Sequence, residues 1–259
     1  MSTYWAERMA KAQDTLTTKS IKRTNEQMKK YYAKTMANCL GHFESTYNKL
    51  LLSTTEGKQP TPADLYKLDK YWQMQGQLRQ ELRKLGERQA ALLSKQFEIQ
   101  FFDIYYSVGI PGLEAFTTID EHAAKQIIQQ IWCADGKSWS ERIWTNLNKL
   151  QEALEQGLIE SVVTGKKTSD LKKLLIEKFN VSFNRADSIV RTEMAHIQTQ
   201  AARQRYLDYG IQEVEVLVSE DERTCPICAS HEGERYSVGA NMPVPFHPRC
   251  RCCMIPVVE

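Results

Sequence analysis

Apolar residues recur every three or four positions through most of the chain, and this spacing predicts a mainly helical protein. In the N-terminal part, one apolar stripe runs from Met28 to Leu50. No proline or glycine interrupts the chain between Tyr4 and Gly41. The pattern therefore predicts one long helix from Tyr4 to about Ser53.

A second long helix is predicted after the chain is interrupted at Gly57 and Pro60. Thr61 followed by Pro62 is typical of a helix start, and the helical pattern then continues to about Tyr106. Two long helices joined by a short loop are expected to pack as an antiparallel hairpin. Apolar residues are predicted to share one face of this second helix: Leu65, Leu68, Trp72, Leu78, Leu82, Leu85, Leu92, Leu93 and Phe97.

Shorter helices are predicted after residues 107–116, where glycine and proline end the second helix. Asp120 is a suitable N-cap for the first of them. Thr168 or Ser169 opens a later one, and Gly210 is a suitable C-cap for the last. The predicted helices cover residues 120–132, 138–162, 171–179 and 183–209.

The pattern changes near the C-terminus, where residues 214–218 alternate and are β-branched, which predicts a strand. Residues 254–259 are a candidate partner strand. The predicted fold class is α+β and predominantly α-helical. It comprises a long N-terminal helical hairpin over 1–112, central helices over 113–182, and a small C-terminal α+β module over 183–259.

Composition indicates a globular protein, because 42% of its 259 residues are hydrophobic and 25% are charged. The net charge of +2 gives no bulk electrostatic preference for nucleic acid or membrane. Residues 1–60 carry ten basic and five acidic residues. This local excess of positive charge is typical of a solvated helix face, and contact with DNA is the alternative interpretation.

The sequence shows no secretory leader and no apolar run of the ~18–20 residues needed to span a bilayer. We therefore expect a protein that is made in the cytoplasm and does not enter a membrane. Reducing conditions disfavour disulfides there, so clustered cysteines point to metal binding or redox chemistry.

Five of the seven cysteines fall in two short stretches, DERTCPICAS at 221–230 and FHPRCRCCMI at 246–255. Cys225 and Cys228 form a C-x2-C pair, His247 and Cys250 form an H-x2-C pair, and eighteen residues lie between the two pairs. This spacing allows four ligands to converge tetrahedrally on Zn²⁺. Arginines beside the ligands would offset the charge of the thiolates: Arg223, Arg249 and Arg251.

The spacing does not determine the fourth ligand. Cys252 is an alternative to Cys250, and Cys253 and His231 are also close enough in the sequence. A redox role for the C-x2-C pair is disfavoured, since no βαβ context precedes it. A catalytic zinc is disfavoured too, because four protein ligands leave no open position for water. The spacing favours a closed, structural site.

A second polar cluster lies at 189–200, where Arg191 and Glu193 are expected to form an ion pair and His196 to be a packed or surface side chain. Tryptophans in the central region are expected to anchor the core between helices: Trp132, Trp139 and Trp144.

These motifs resemble a known family. The RTE triplet at 191–193, YLDYG at 206–210, the following strand, DERTCPIC and MPVPFHPRCRC are similar to the phage head-morphogenesis domain, the Mu F-like family of minor head proteins. YWAERM and SWSERIWTN resemble the long form of that family. The residues that match the family pattern are Arg191, Thr192, Glu193, Asp221, Cys225, Cys228, Gly233, Pro243, Pro245, His247, Pro248, Cys250 and Cys252.

The resemblance implies a non-enzymatic minor capsid protein of a tailed phage or prophage, made in the host cytoplasm and placed inside the capsid near the portal vertex. It implies a role in head assembly, DNA packaging or DNA ejection. The portal protein is the implied partner, and the major capsid protein, a scaffolding protein and genomic DNA are further candidates. Two alternatives stay open, a DNA-binding or DNA-escorting protein and a metal-dependent hydrolase.

Overall fold

The structure, a computed structural model, describes residues 3–52, 61–66, 68–110, 112–114, 118–218, 224–240 and 242–258. It is predominantly helical with a small C-terminal sheet, and this confirms the predicted fold class. The helices are α1 (Thr3–Leu52), α2 (Pro62–Tyr66), α3 (Asp69–Ser107), α4 (Glu121–Gln129), α5 (Trp139–Val163), α6 (Thr168–Asp208) and α7 (Pro226–Ala229). The strands are β1 (Glu213–Leu217), β2 (Arg235–Ser237) and β3 (Cys253–Val257). None of the described helices is both long and apolar enough to cross a membrane.

The chain divides into two compact units, and neither is continuous in sequence. Unit 1 consists of Met1–Asn25, Leu92–Trp139 and Ser188–Glu259. Unit 2 consists of Glu26–Ala91 and Ser140–Asp187. This division differs from the three consecutive regions predicted over 1–112, 113–182 and 183–259.

Unit 2 is built from long helical segments that pack through large apolar side chains. Asn38 of α1 donates to the Glu81 carboxylate of α3 at 2.6 Å. The Tyr47 hydroxyl lies 2.9 Å from the carbonyl oxygen of Ser161 and 2.7 Å from that of Lys166. The largest buried side chains of this unit are Tyr47, Tyr71, Phe43, Phe179, Met28, Leu65 and Met74.

The predicted second helix is divided in the structure into α2 and α3. The Trp72 indole N–H donates to the Tyr66 carbonyl oxygen at 2.7 Å. In a continuous helix this carbonyl oxygen would accept a backbone N–H, but here it accepts the Trp72 side chain. Trp72 was predicted on the apolar face, but it is 50% exposed, and its neighbour Tyr71 is fully buried instead.

The two helices predicted over 171–179 and 183–209 are one continuous helix, α6. Ser182, in the predicted gap, is buried. The Asn146 amide donates to its carbonyl oxygen at 2.8 Å, and the Tyr32 hydroxyl lies 3.2 Å from its side-chain oxygen. These tertiary contacts compensate for the weak helix propensity of the residues around Ser182.

The sheet of unit 1 has the strand order β2-β1-β3, and both pairings are antiparallel. The predicted strand over 214–218 and its C-terminal partner are thereby confirmed, whereas β2 was not predicted. Val214 is paired with Tyr236 on one side and with Pro256 on the other. The buried Tyr206 of α6 donates to the Met254 carbonyl oxygen at 3.0 Å, which joins this part of α6 to the sheet.

Candidate metal centre

The sheet brings the two cysteine stretches to one place. Leu217, the last residue of β1, is paired with Cys253, the first residue of β3. Because these strands are antiparallel, the chain leaving β1 and the chain entering β3 lie at the same end of the sheet. Cys225 then caps the short helix α7. We call residues 224–240 and 242–258 the metal segment.

Several pairs of the predicted ligand atoms lie within coordination range of each other. Cys228 Sγ is 3.1 Å from His247 Nε2 and 3.7 Å from Cys250 Sγ. Cys225 Sγ is 3.2 Å from His247 Nε2. Around a tetrahedral zinc ion two sulfurs are about 3.8 Å apart, and a sulfur and a nitrogen about 3.5 Å apart. These three distances are compatible with ligands that would hold a metal ion.

Two groups of three ligands share Cys228. One contains Cys225, Cys228 and His247, and the other contains Cys228, Cys250 and Cys252. In each group the ligand atoms lie within 4.8 Å of one another. The cluster could therefore hold a metal ion, and the choice between Cys250 and Cys252 as the fourth ligand stays a prediction.

A cavity of about 30 Å³ lies beside Cys225, Cys228, His247 and Cys252, and its volume exceeds the ~10–15 Å³ that one water molecule requires. A single dehydrated ion fits this space. The cavity is lined by Val218, Thr224, Cys225, Cys228, His247, Arg249, Arg251 and Cys252.

The orientation of the His247 ring leaves one nitrogen for a metal. Its Nδ1 lies 2.8 Å from the Pro248 carbonyl oxygen. Because a carbonyl oxygen only accepts, Nδ1 carries the proton and the lone pair of Nε2 faces the sulfurs. Burial opposes protonation of the ring, yet the Pro248 carbonyl and the neighbouring sulfurs raise the pKa of His247 overall.

Hydrogen bonds lower the pKa of two of the clustered thiols, whereas burial and hydrogen bonding raise the pKa of two others. The Cys228 N–H donates to Cys225 Sγ at 3.4 Å and lowers the pKa of Cys225. The Cys252 thiol donates to Cys250 and lowers the pKa of Cys250 to about 5, while this bond raises the pKa of Cys252. Burial raises the pKa of Cys228 to about 12. A cation is therefore needed before Cys228 becomes a thiolate near neutral pH.

Two further residues that the spacing allowed as ligands lie in other surroundings. The Cys253 thiol is buried in β3, 3.9 Å from the Leu217 carbonyl oxygen. The His231 ring stacks on Phe246 with centroids 4.1 Å apart, and its Nδ1 contacts the Glu234 carboxylate at 2.7 Å. Neither residue belongs to the metal-ligand groups found among the described residues.

The RTE motif is connected to the metal segment through its central residue. The Thr192 hydroxyl donates to the Ser188 carbonyl oxygen at 2.8 Å and accepts the Arg249 backbone N–H at 3.1 Å. Arg249 lies between His247 and Cys250 in the chain. Thr192 therefore positions the turn that carries two of the predicted ligands.

Glu193 has a different environment from Thr192. Its carboxylate accepts the Trp132 indole N–H at 3.0 Å, and Trp132 stacks on His196 with ring centroids 4.1 Å apart. His196 is buried. The predicted ion pair between Arg191 and Glu193 stays a prediction, and Asp221 lies outside the described residues.

The sequence did not reveal the links from Thr192 to Arg249 and from Glu193 to Trp132. Each joins residues that are distant along the chain, 57 and 61 positions apart. Periodicity and spacing report only on neighbours within a few turns. The presence of Thr192 and Glu193 in one motif was the available signal, but it did not identify their partners.

Residues 148–255 match the family model described as Phage Mu protein F like protein. The match begins within α5 and ends within β3, so it includes the RTE motif and every residue of the two metal-ligand groups. Residues 148–255 are thus similar to the Mu F-like family of phage head-morphogenesis proteins, which confirms the resemblance seen in the motifs. No curated protein and no solved structure is significantly similar to the chain.

Proposed function

We propose that this protein is a minor structural component of a tailed-phage head, located inside the capsid beside the portal protein. The match of residues 148–255 to the Mu F-like family carries this proposal. The long helices α1 and α3, which lie outside the match, are the candidate arm for docking on a portal ring. In this role the protein assists head assembly, DNA packaging or DNA ejection.

We further propose that the cysteine cluster holds a structural Zn²⁺ ion. Three thiols and one imidazole nitrogen are the donor set that zinc takes in closed, four-coordinate sites. Cys225, Cys228, His247 and Cys250 are the proposed ligands. X-ray absorption at the zinc edge tests the donor set, with three sulfurs and one nitrogen expected, whereas four sulfurs would replace His247 by Cys252.

A non-enzymatic role accords with the environment of the polar motif. Glu193, the carboxylate that a hydrolase would use as a base, is buried and accepts the Trp132 indole N–H. A closed ligand set also leaves no position for a metal-bound water. This part of the proposal would be wrong if the protein showed zinc-dependent hydrolysis and Glu193→Gln abolished it without changing the fold or the zinc content.

Co-expression with the portal protein of the same phage tests the structural role. We expect the two proteins to co-elute as one assembly, and we expect this chain in purified virions. The matched control is the portal protein of an unrelated phage, which should not co-elute. Absence of association together with absence from virions would refute the proposal.

A further inference from the structure

A cavity of about 400 Å³ in unit 1 lies beside the cysteine cluster and is lined by three arginines. Arg191 comes from α6, whereas Arg249 and Arg251 flank Cys250 in the metal segment. Small-molecule sites commonly occupy about 300–1,000 Å³. The cavity therefore has the volume of a ligand site and concentrates positive charge from two parts of the chain.

The remaining polar lining only partly offsets this charge. Among the described residues around the cavity, Asp14 carries the one carboxylate and Cys250 has a thiol of lowered pKa, so the three guanidinium groups exceed these two acidic groups by one positive charge. Thr17 and Gln198 are joined by a hydrogen bond of 2.8 Å, and Thr18 is exposed at the cavity. The lining thus suits an anion with several oxygen acceptors.

Arg249 adopts a backbone conformation that is costly for its residue type. Its φ of 64° lies in the left-handed region, which costs a residue with a side chain about 1–2 kcal/mol. The hydrogen bond from its N–H to Thr192 fixes this conformation. Glycine would avoid the cost, so a strained arginine at this position indicates that its side chain has a function.

A simpler function for two of the arginines is to offset the thiolate charge. Arg249 and Arg251 also line the small cavity beside Cys225, Cys228, His247 and Cys252. Arg191 lines the larger cavity only, so charge compensation at the sulfurs does not account for it. A substitution of Arg191 therefore tests the ligand site without removing an arginine that could compensate the thiolate charge.

We propose that the arginine-lined cavity binds a phosphate group, supplied either by DNA or by a free phosphate compound. Planar guanidinium groups bind phosphate oxygens through paired hydrogen bonds, which a strongly hydrated ammonium group does not provide. The proposal adds a ligand to the proposed structural role. It is tested on the isolated chain, so its failure would leave the portal experiment unaffected.

The first test measures binding of a labelled DNA duplex by fluorescence anisotropy and of inorganic pyrophosphate by calorimetry, on the full chain at low salt. Arg191→Gln should weaken binding about tenfold, the loss expected for one charge-assisted hydrogen bond. Arg185→Gln is the matched control, because Arg185 is an exposed arginine of the same helix. It should bind both probes like the wild type.

A second pair of variants keeps the proposal testable if Arg191→Gln does not fold. Thr18→Glu places a carboxylate at the cavity, and Thr15→Glu makes the same charge change at an exposed position of α1 outside it. Only Thr18→Glu should weaken binding. Zinc content should be equal in both, because neither residue belongs to the cysteine cluster.

The two probes identify the source of the phosphate. Binding of DNA alone identifies nucleic acid, binding of pyrophosphate alone identifies a free phosphate compound, and binding of both supports a site for the shared group. Binding to DNA should also weaken as salt increases, because phosphate contacts release counterions. No binding of either probe, or equal weakening by Arg185→Gln and Arg191→Gln, would overturn the proposal.

Discussion

Unit 2 buries large apolar side chains between long helices, whereas the metal segment buries cysteines beside elements of three to five residues. Phe43, Leu85 and Phe179 are fully enclosed in unit 2. In the metal segment, Cys228 and Cys252 are among the buried side chains. The helix α7 has four residues there, β2 has three and β3 has five.

This contrast shows two ways of compensating for the entropy lost on folding. Burial of apolar area contributes about 25 cal/mol per Å², so long helices with many large side chains gain enough from packing. Short elements bury too little area for that and depend on a bound metal or another cross-link. Each region should therefore respond to a different perturbation.

The largest expected effect is that of Cys228→Ser, because Cys228 belongs to both metal-ligand groups. We expect loss of the metal and unfolding of the metal segment, since zinc binding contributes about 10–16 kcal/mol in zinc-finger peptides. Elemental analysis and hydrogen exchange measure the two results. Amides of unit 2 should keep their protection.

Cys39→Ser is the control for this substitution. Cys39 is buried in the part of α1 that belongs to unit 2, outside the metal-ligand groups. This variant should retain the metal. A full equivalent of metal in Cys228→Ser, or no change in proteolysis of the wild type after chelation, would contradict a structural metal.

Phe179→Ala should destabilise unit 2 and leave the metal bound, the reverse of the result expected for Cys228→Ser. Phe179 is 2% exposed and meets the Tyr32 ring edge-on, with centroids 6.5 Å apart. Its truncation should lower the free energy of unfolding by about 3–5 kcal/mol in urea titrations, with metal content unchanged. Val181→Ala, at a position of the same helix that is 41% exposed, should change it by less than about 0.5 kcal/mol. Similar losses in the two variants would rule out Phe179 as a core residue.

Thr192→Val examines the connection between α6 and the metal segment. The variant removes the acceptor of the Arg249 N–H, and we expect a loss of about 1–3 kcal/mol in the free energy of unfolding. Faster hydrogen exchange at Arg249 would show where the loss arises. The control is Thr199→Val, because the Thr199 hydroxyl donates to Ala195 within its own helix. Equal exchange at Arg249 in both variants would contradict the positioning role.

The smallest expected effect concerns Glu81, in unit 2. Burial opposes its ionisation, but hydrogen bonds from Asn38 and Lys84 lower the pKa of Glu81 overall. Its stabilising contribution is therefore complete above the pKa of the unfolded chain and is lost as pH falls through the lower folded value. In Glu81→Gln, the free energy of unfolding should decrease less as pH is lowered than it does in the wild type. An unchanged dependence would contradict the assignment.

The long helical segments and the grouping of the cysteine pairs were predictable because both follow from short, repeated patterns in the sequence. The stripe that includes Met28 predicted α1, and the cysteine pairs predicted a shared site. Predictions failed where a tertiary contact overrode a local preference. Ser182 continues α6 because Asn146 and Tyr32 contact it, and Trp72 is exposed although its spacing matches the apolar stripe.

The candidate phosphate cavity could not be predicted from spacing. Its arginines come from positions that are far apart in the chain, Arg191 and the pair Arg249 and Arg251. Only the docking of the metal segment against α6 brings them to one cavity. The sequence showed arginines near the ligands and assigned them to charge compensation or, in the DNA-binding alternative, to contact with DNA, but it did not reveal a cavity.

The hydrogen bond between Thr192 and Arg249 also bears on the order in which this region folds. It closes a loop of 57 positions, whereas the contact of Cys228 with Cys250 closes one of 22. The longer closure costs about 0.8 kcal/mol more chain entropy. Because Arg249 directly precedes Cys250, a metal bound at the shorter loop already fixes the turn that Thr192 must reach. We therefore expect the metal to act as a folding nucleus, with docking onto α6 as the later event.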